Sequence, residues 1–256
     1  MKRLLALLVC VLTITGCATS PMGRSQLIMV DDNQMAASGQ QMFAQMKQKE
    51  KVANDPAASA EVHCIVNNLL AQLPQGLQTG WEVQVFEDKT PNAFALPGRK
   101  IGVNTGMIKL VKNDSQLAAV IGHEIGHVIA RHASERASMG MVAQIGQEVA
   151  GQMNPAGAAV FGLGAQVGVM LPYSRTHEEE ADIIGQNLMA NAGFDPRESV
   201  SLWKLMEKQG GDKPPELLST HPANASRIEE LSAHLQISMP MFQRAQAAGR
   251  RPRCGS

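Results

Sequence analysis

Two histidines stand four residues apart in Ile121-Gly122-His123-Glu124-Ile125-Gly126-His127, with Glu124 beside the first. On a helix, positions i and i+4 lie one turn apart on one face. Two imidazoles so placed can share one zinc ion through nitrogens at roughly 2.0–2.1 Å. Glu124 is offset from the pair, within reach of a water at the metal but poorly placed as a third ligand. The same pattern also suits a helix that buries two histidines in a core, so a further ligand decides the matter.

A third histidine six residues beyond the second would complete the metzincin pattern, but Ala133 occupies that position. His132 is one residue off and reads as an exposed ring at a helix C-terminus, where a cation is favoured. The stretch His177-Glu178-Glu179-Glu180-Ala181-Asp182 offers carboxylates instead. Glu178 and Asp182 are one turn apart, so one can bind zinc while the other accepts the free ring N–H of a ligand histidine. A solvated acidic helix start is the alternative reading of the same residues. His221-Pro222, with Arg227 six residues on, adds two groups able to donate to the oxyanion formed when water attacks a carbonyl. Read alone, they are a turn histidine and a surface arginine.

These residues need elements to hold them. Asn113-Asp114-Ser115 caps a helix whose stripe of Leu117, Val120, Ile121, Ile125, Val128 and Ile129 carries the histidines. Thr176 to Ala192 reads as a second helix, ended by Gly193. Further helices are expected over Asn33–Lys51, over Ala57–Leu73 after an Asp55-Pro56 cap, from Asp195-Pro196 to Lys208, and over Ala223–Leu235. Between them Trp81, Val83 and Val85 alternate with polar residues, Asn92 to Leu96 is extended, and Ile101 and Val103 alternate again. The expectation is a small meander of about three strands in an α+β, mainly helical domain. The Gly-, Ala-, Val- and Met-rich stretch from Met139 to Leu171 falls between the two ligand-bearing helices, where it could form a lid.

The N-terminus is an address. Lys2 and Arg3 precede an apolar run too short to span a bilayer comfortably, ending in Thr15-Gly16-Cys17. The order resembles a bacterial lipobox, with Cys17 lipidated as the first mature residue. Ala18 after it implies, in the lipoprotein pattern, sorting to the outer membrane facing the periplasm. Residues 1–16 are then a signal peptide, 17–54 a lipidated N-terminus, polar tether and first helix, 55–238 the catalytic domain, and 239–256 a basic, mobile tail. In an oxidising compartment Cys64 and Cys254 are either two thiols or a disulfide, and the sequence does not choose between them.

Among 256 residues, 44% are hydrophobic and 18% charged, which supports a packed core and excludes wholesale disorder. Lysine plus arginine equals aspartate plus glutamate at 23 each; without residues 1–16 the balance is 21 against 23. Such a chain has no field for nucleic acid. Its oligomeric state is not legible.

Taken together, Asn92-Ala93-Phe94-Ala95 with Thr105-Gly106, the His123–His127 helix, Ser174-Arg175 through Glu178 to Ala181-Asp182, and His221-Pro222 with Arg227 resemble peptidase family M48, the family of CAAX prenyl endopeptidases and HtpX-like proteases. The resemblance covers roughly residues 55 to 235. It implies a gluzincin-type zincin fold and one zinc per chain held by His123, His127 and Glu178. Glu124 would be the general base and Asp182 a support behind the ligands. His221 and Arg227 would stabilise the transition state. Asn92, Ala93, Phe94 and Ala95 would form an edge strand for polypeptide substrates. The implied activity is zinc endopeptidase quality control of unfolded periplasmic or outer-membrane polypeptides. The alternative is a latent protease acting as a chaperone or assembly factor.

Overall fold

Asp55 and Pro56 open a helix of the larger unit as their chemistry dictates. The Asp55 carboxylate accepts from the Ala57 and Ala58 N–H groups, and Pro56 takes the first helical position, where no donor is needed. In a computed structural model, residues 17–153, 174–209, 216–221 and 225–255 are described. They divide into two compact units: residues 36–129 with 172–256, and residues 1–35 with 130–171. The fold is α+β and zincin-like, with helices α1 Asp32–Lys49, α2 Pro56–Leu70, α3 Thr105–Leu110, α4 Asp114–Ile129, α5 His132–Met153, α6 Arg175–Ala192, α7 Arg197–Gln209, α8 Glu216–Thr220 and α9 Ala225–Ala247. The strands are β1 Cys17–Thr19, β2 Ser25–Leu27, β3 Glu82–Phe86, β4 Ala93–Leu96 and β5 Lys100–Asn104. No described helix is long and apolar enough to cross a membrane.

The larger unit holds a three-stranded sheet of order β3-β5-β4, with β3 and β5 parallel and β4 antiparallel to β5. A meander would put β4 in the middle. Instead the loop after β3 is tied to the far end of β5. Asp88 C=O accepts from the Gly106 N–H and the Thr105 hydroxyl, and Asn104 Nδ2 donates to Thr90 C=O. The chain must therefore start β4 at that end and run back, leaving β4 at the edge. Phe94 covers β5 where Gly102 has no side chain: a Cβ on Gly102 would lie 2.1 Å from the Phe94 ring.

Asn113 caps α4 by accepting from the Gln116 N–H at 3.0 Å. Leu117, Ile121 and Ile125 of its apolar stripe are fully buried, against the same core as Val62, Ile65 and Leu69 of α2. Helix α6 starts on Ser174, whose hydroxyl accepts from the His177 N–H, and stops at Gly193 with φ +94°. Where α4 meets α6 the backbones nearly touch. A Cβ on Gly185 would lie 2.7 Å from the His123 nitrogen, and one on Gly126 would lie 2.8 Å from Ala181 O. Gln186 then joins α6, α7 and α9, donating to Ser199 Oγ and Leu231 C=O and accepting from the Ser238 hydroxyl.

The C-terminal segment is not a loose tail. Helix α9 runs through Pro240 to Ala247. Beyond it Arg250 donates to Asn191 C=O, and the Cys254 and Gly255 N–H groups donate to the Asp114 carboxylate. Cys254 is disulfide-bonded to Cys64, with 5.5 Å between the Cα atoms. The expectation of mobility failed because it weighed basic composition alone.

In the smaller unit, β1 and β2 form an antiparallel hairpin turning near Gly23, φ +83°. Arg24 makes a two-pronged ion pair with Glu135 of α5, and Gln26 Nε2 donates to Glu135 and to Ala130 C=O. The stretch expected as a tether is thus folded. His132, expected at an exposed helix end, is fully buried as the first residue of α5. Arg131, with φ +57°, breaks the helix before it. The proposed lid lies largely outside the described residues, as does the signal segment 1–16.

The glycine contact yields a direct test. Gly185→Ala should lower the unfolding free energy by about 1–3 kcal/mol, since backbone on the opposite helix cannot give way as a side chain can. Urea denaturation checks this. An unchanged midpoint would show that the two helices separate freely.

Candidate metal centre

Helix α4 presents His123 and His127 one turn apart, with their Nε2 atoms 3.1 Å from each other. Glu178 enters from the first turn of α6. Its Oε2 lies 3.4 Å from His123 Nε2 and its Oε1 lies 3.4 Å from His127 Nε2. His221, just past α8, brings Nδ1 to 2.9 Å from Glu178 Oε1 and 3.2 Å from His123 Nε2. All four residues are buried, and their donor atoms fall within 4.8 Å of one another.

This set fits a divalent cation. A tetrahedron with ligand bonds of roughly 2.0–2.1 Å has edges of about 3.3 Å; the contacts above, those to Glu178 made through both of its oxygens, run from 2.9 to 3.4 Å within a donor set that spans at most 4.8 Å. Three imidazoles with one carboxylate suit zinc or another first-row divalent ion. The charge agrees as well. Glu124, Glu178 and Asp182 are buried against a single guanidinium, Arg227, a formal balance of −2 that a divalent cation would cancel.

Residues behind the donors aim them. Asp182 Oδ1 sits 2.8 Å from His123 Nδ1, so that nitrogen keeps its proton and Nε2 turns its lone pair inward. Arg227 donates through Nε and Nη2 to Asp182, both at 2.8 Å, and pairs through Nη1 with Glu178 Oε2 at 2.9 Å. Its guanidinium lies 3.7 Å from the centre of the Trp203 ring, which also meets His123 edge-on. These contacts place Arg227 behind the carboxylates as a positioning residue. They do not support its expected role as an oxyanion donor. Likewise His221 is found among the donors. Trp203 was invisible as a site residue in the sequence, where it is one apolar position of an amphipathic helix.

Glu124 occupies the mouth of the cluster. Its Oε2 accepts the Ala95 N–H at 3.1 Å, and its Oε1 is 3.5 Å from His221 Nε2. Asn92 C=O accepts from Asn104 N–H on β5, so by strand alternation the backbone groups of Ala93 and Ala95 point away from β5, Ala93 being buried and the Ala95 N–H held by Glu124. The predicted edge residues and the predicted base therefore meet.

Burial pushes the Glu124 carboxyl above its ordinary range, against the pull of His221 and His123. Burial also acts on Glu178, but hydrogen bonds from His123, His127 and His221 outweigh it and hold that carboxyl far below its usual range. Asp182 is likewise lowered, burial being overcome chiefly by Arg227. Burial drives His127 well below its ordinary value. It works on His123 too, but there Asp182 and Glu178 prevail and raise the ring to about 9.

Comparison with known sequences follows this geometry. A sequence model of Peptidase family M48 matches residues 56–235. The chain belongs to peptidase family M48. Among M48 relatives, the mitochondrial metalloendopeptidase OMA1 of Arabidopsis thaliana is 34% identical over 235 residues, covering 86% of this chain and 46% of the relative. The OMA1 protein of Saccharomyces cerevisiae is 36% identical over 173 residues, 64% of this chain and 50% of the relative. The beta-barrel assembly-enhancing protease of Escherichia coli (strain K12) is 26% identical over 261 residues, 94% of this chain and 53% of the relative. The chain spans about half the length of these curated M48 relatives.

The raised His123 ring sets a pH dependence. In the metal-free protein its stabilising contribution is complete below 6.5 and is lost as pH rises through about 9. The proton must also leave Nε2 before metal binds. Zinc affinity, read against a chromophoric chelator, should therefore climb by up to about tenfold per pH unit and level off near pH 9. A flat profile between pH 6.5 and 9 would refute the assignment of His123.

Proposed function

We propose that this protein is a zinc-dependent endopeptidase that cleaves unfolded or misfolded polypeptides at the periplasmic face of the outer membrane. One observation carries the catalytic part: the buried Glu124 carboxylate lies between the donor cluster and the outward N–H of an edge strand. A divalent cation held by His123, His127 and Glu178 would polarise a scissile carbonyl and acidify water. An extended peptide would add to β4 through the backbone groups of Ala93 and the Ala95 C=O, with the Ala95 N–H passing from Glu124 to the peptide as it docks, a geometry that folded substrates cannot offer. Ala95 sits against Glu124, so the peptide bond arrives beside the base. Glu124, with its raised carboxyl, takes a proton from the attacking water and passes it to the leaving amine. Asp182 and Arg227 keep His123 and Glu178 in position throughout.

His221 sets the resting state. With it the donor set has four protein members, whereas a hydrolytic site needs one open position. Catalysis then requires His221 to withdraw, and its ring, next to Glu124, becomes free to donate to an oxyanion. The same closure favours a second reading, in which the resting protein acts as a chaperone or assembly factor with its protease latent.

The compartment rests on the lipobox and on the Cys64–Cys254 disulfide, which suits an oxidising space. Membrane attachment would be through lipid on Cys17. In this proposal residues 55–238 form the catalytic domain.

Casein cleavage by the mature chain, with metal content read on the same samples, tests the activity. Glu124→Gln should retain its zinc and lose about 10²–10⁴-fold in rate. A variant that cuts as well as the wild type would remove Glu124 from the mechanism. Zinc at one per chain without any cleavage would select the latent reading. His221→Ala should weaken zinc retention by more than the roughly 10–100-fold typical of losing a supporting residue. Undiminished retention would exclude His221 from the donor set.

A further inference from the structure

We infer that the smaller unit docks on a lipid bilayer through an exposed apolar face of α5 that continues into the β1–β2 hairpin. The inference rests on the proposed acylation of Cys17 for its orientation. That acylation selects lipid as the occupant; the exposed face itself is defined by the side chains below.

Nine large hydrophobic side chains are exposed among the described residues, and six of them fall in this unit, which contributes about a fifth of those residues. They are Met22, Met29, Met139, Met141, Val142 and Ile145, each 43–55% exposed. Scattered exposed apolar residues are ordinary, but a concentration of this kind marks an interaction surface. Five of the six, all but Met22, are linked along one element and its partner strand segment. Met29 donates its N–H to Ser138 Oγ at 2.8 Å, and Ser138 stands one helical turn before Met141 and Val142. Met139, Val142 and Ile145 follow at three-residue spacing along one side of α5.

The position of Cys17 selects lipid as the occupant. Cys17 is the first residue of β1 and pairs with Leu27, two residues before Met29. The hairpin is held to α5 by the Arg24–Glu135 ion pair and by Gln26. No flexible tether separates the acylated residue from this unit: folded structure begins at the anchor itself. A lipid on Cys17 would hold the hairpin at the headgroup layer, and the apolar side of α5 beside it would meet the same layer. Between Ser138 and Glu148 the helix carries no charge, and the exposed Glu148, one turn beyond Ile145, marks where the apolar stretch ends.

The test uses the mature chain carrying Cys17→Ser, which removes the lipid and leaves the face intact. It is mixed with phosphatidylethanolamine–phosphatidylglycerol vesicles and floated on a density gradient. The expected result is flotation of a measurable fraction at high lipid, reduced about tenfold or more by Met139→Ser/Val142→Ser/Ile145→Ser. These residues are exposed and belong to the unit that does not hold the donor residues; an unchanged thermal unfolding midpoint by circular dichroism reports that the variant is folded. Absence of flotation overturns the inference and points to coverage of the face by the chain's own residues 154–173. Equal flotation of the triple variant overturns it too. So does a Cys17→Ser chain that is dimeric in analytical ultracentrifugation and becomes monomeric on the triple substitution, because the face then belongs to a second copy. Mass spectrometry of the natural chain decides acylation separately, so failure of that reading cannot be confused with failure of this one.

Discussion

The near-contact of two helix backbones sets everything else in this protein. Gly122 and Gly126 on α4 face Gly185 and Ala181 on α6, with no side chain between them large enough to hold the helices apart. Only at that separation can Glu178, in the first turn of α6, reach the imidazoles of α4, and Asp182 reach the far nitrogen of His123. Substituting larger residues there would move a carboxylate by about the length of a bond, which is the tolerance of a metal site.

That proximity creates an electrostatic problem. Two carboxylates one turn apart are buried together, with a third, Glu124, close by. Arg227 answers part of it with a bidentate contact to Asp182, a contact to Glu178 and a stack on Trp203. The remaining negative charge, together with ring nitrogens converging to 3.1 Å, is the condition that a divalent cation relieves. The same residues thus serve as fold elements and as site elements. Glutamine at position 186 supports them from behind by joining three helices through hydrogen bonds alone.

The local parts of this arrangement were legible in the sequence. The His123–His127 spacing and the Asn113 cap placed two donors on a helix. The Glu178–Asp182 spacing placed two carboxylates on one face of another, and the family resemblance assigned their roles. What failed was non-local. Alternation identified β3, β4 and β5 but could not show that the loop at Asp88 is tied to Thr105 and Gly106, so the meander was wrong and the edge position of β4 came from family resemblance. Arg227 and His132 were misjudged because burial of a charged or polar residue depends on partners far away in sequence. The tether and the loose tail were read from composition, which carries no information about Glu135 waiting for Arg24, or about Cys64 and Asp114 waiting for Cys254.

The central claim is that four buried donors surround one divalent cation. Zinc-edge X-ray absorption on the purified resting protein tests it most directly. The account requires a four-coordinate shell of nitrogen and oxygen at roughly 2.0–2.1 Å, with the outer-shell scattering of three imidazoles. Sulfur in the first shell, a six-coordinate oxygen shell, or scattering from a single imidazole would contradict it.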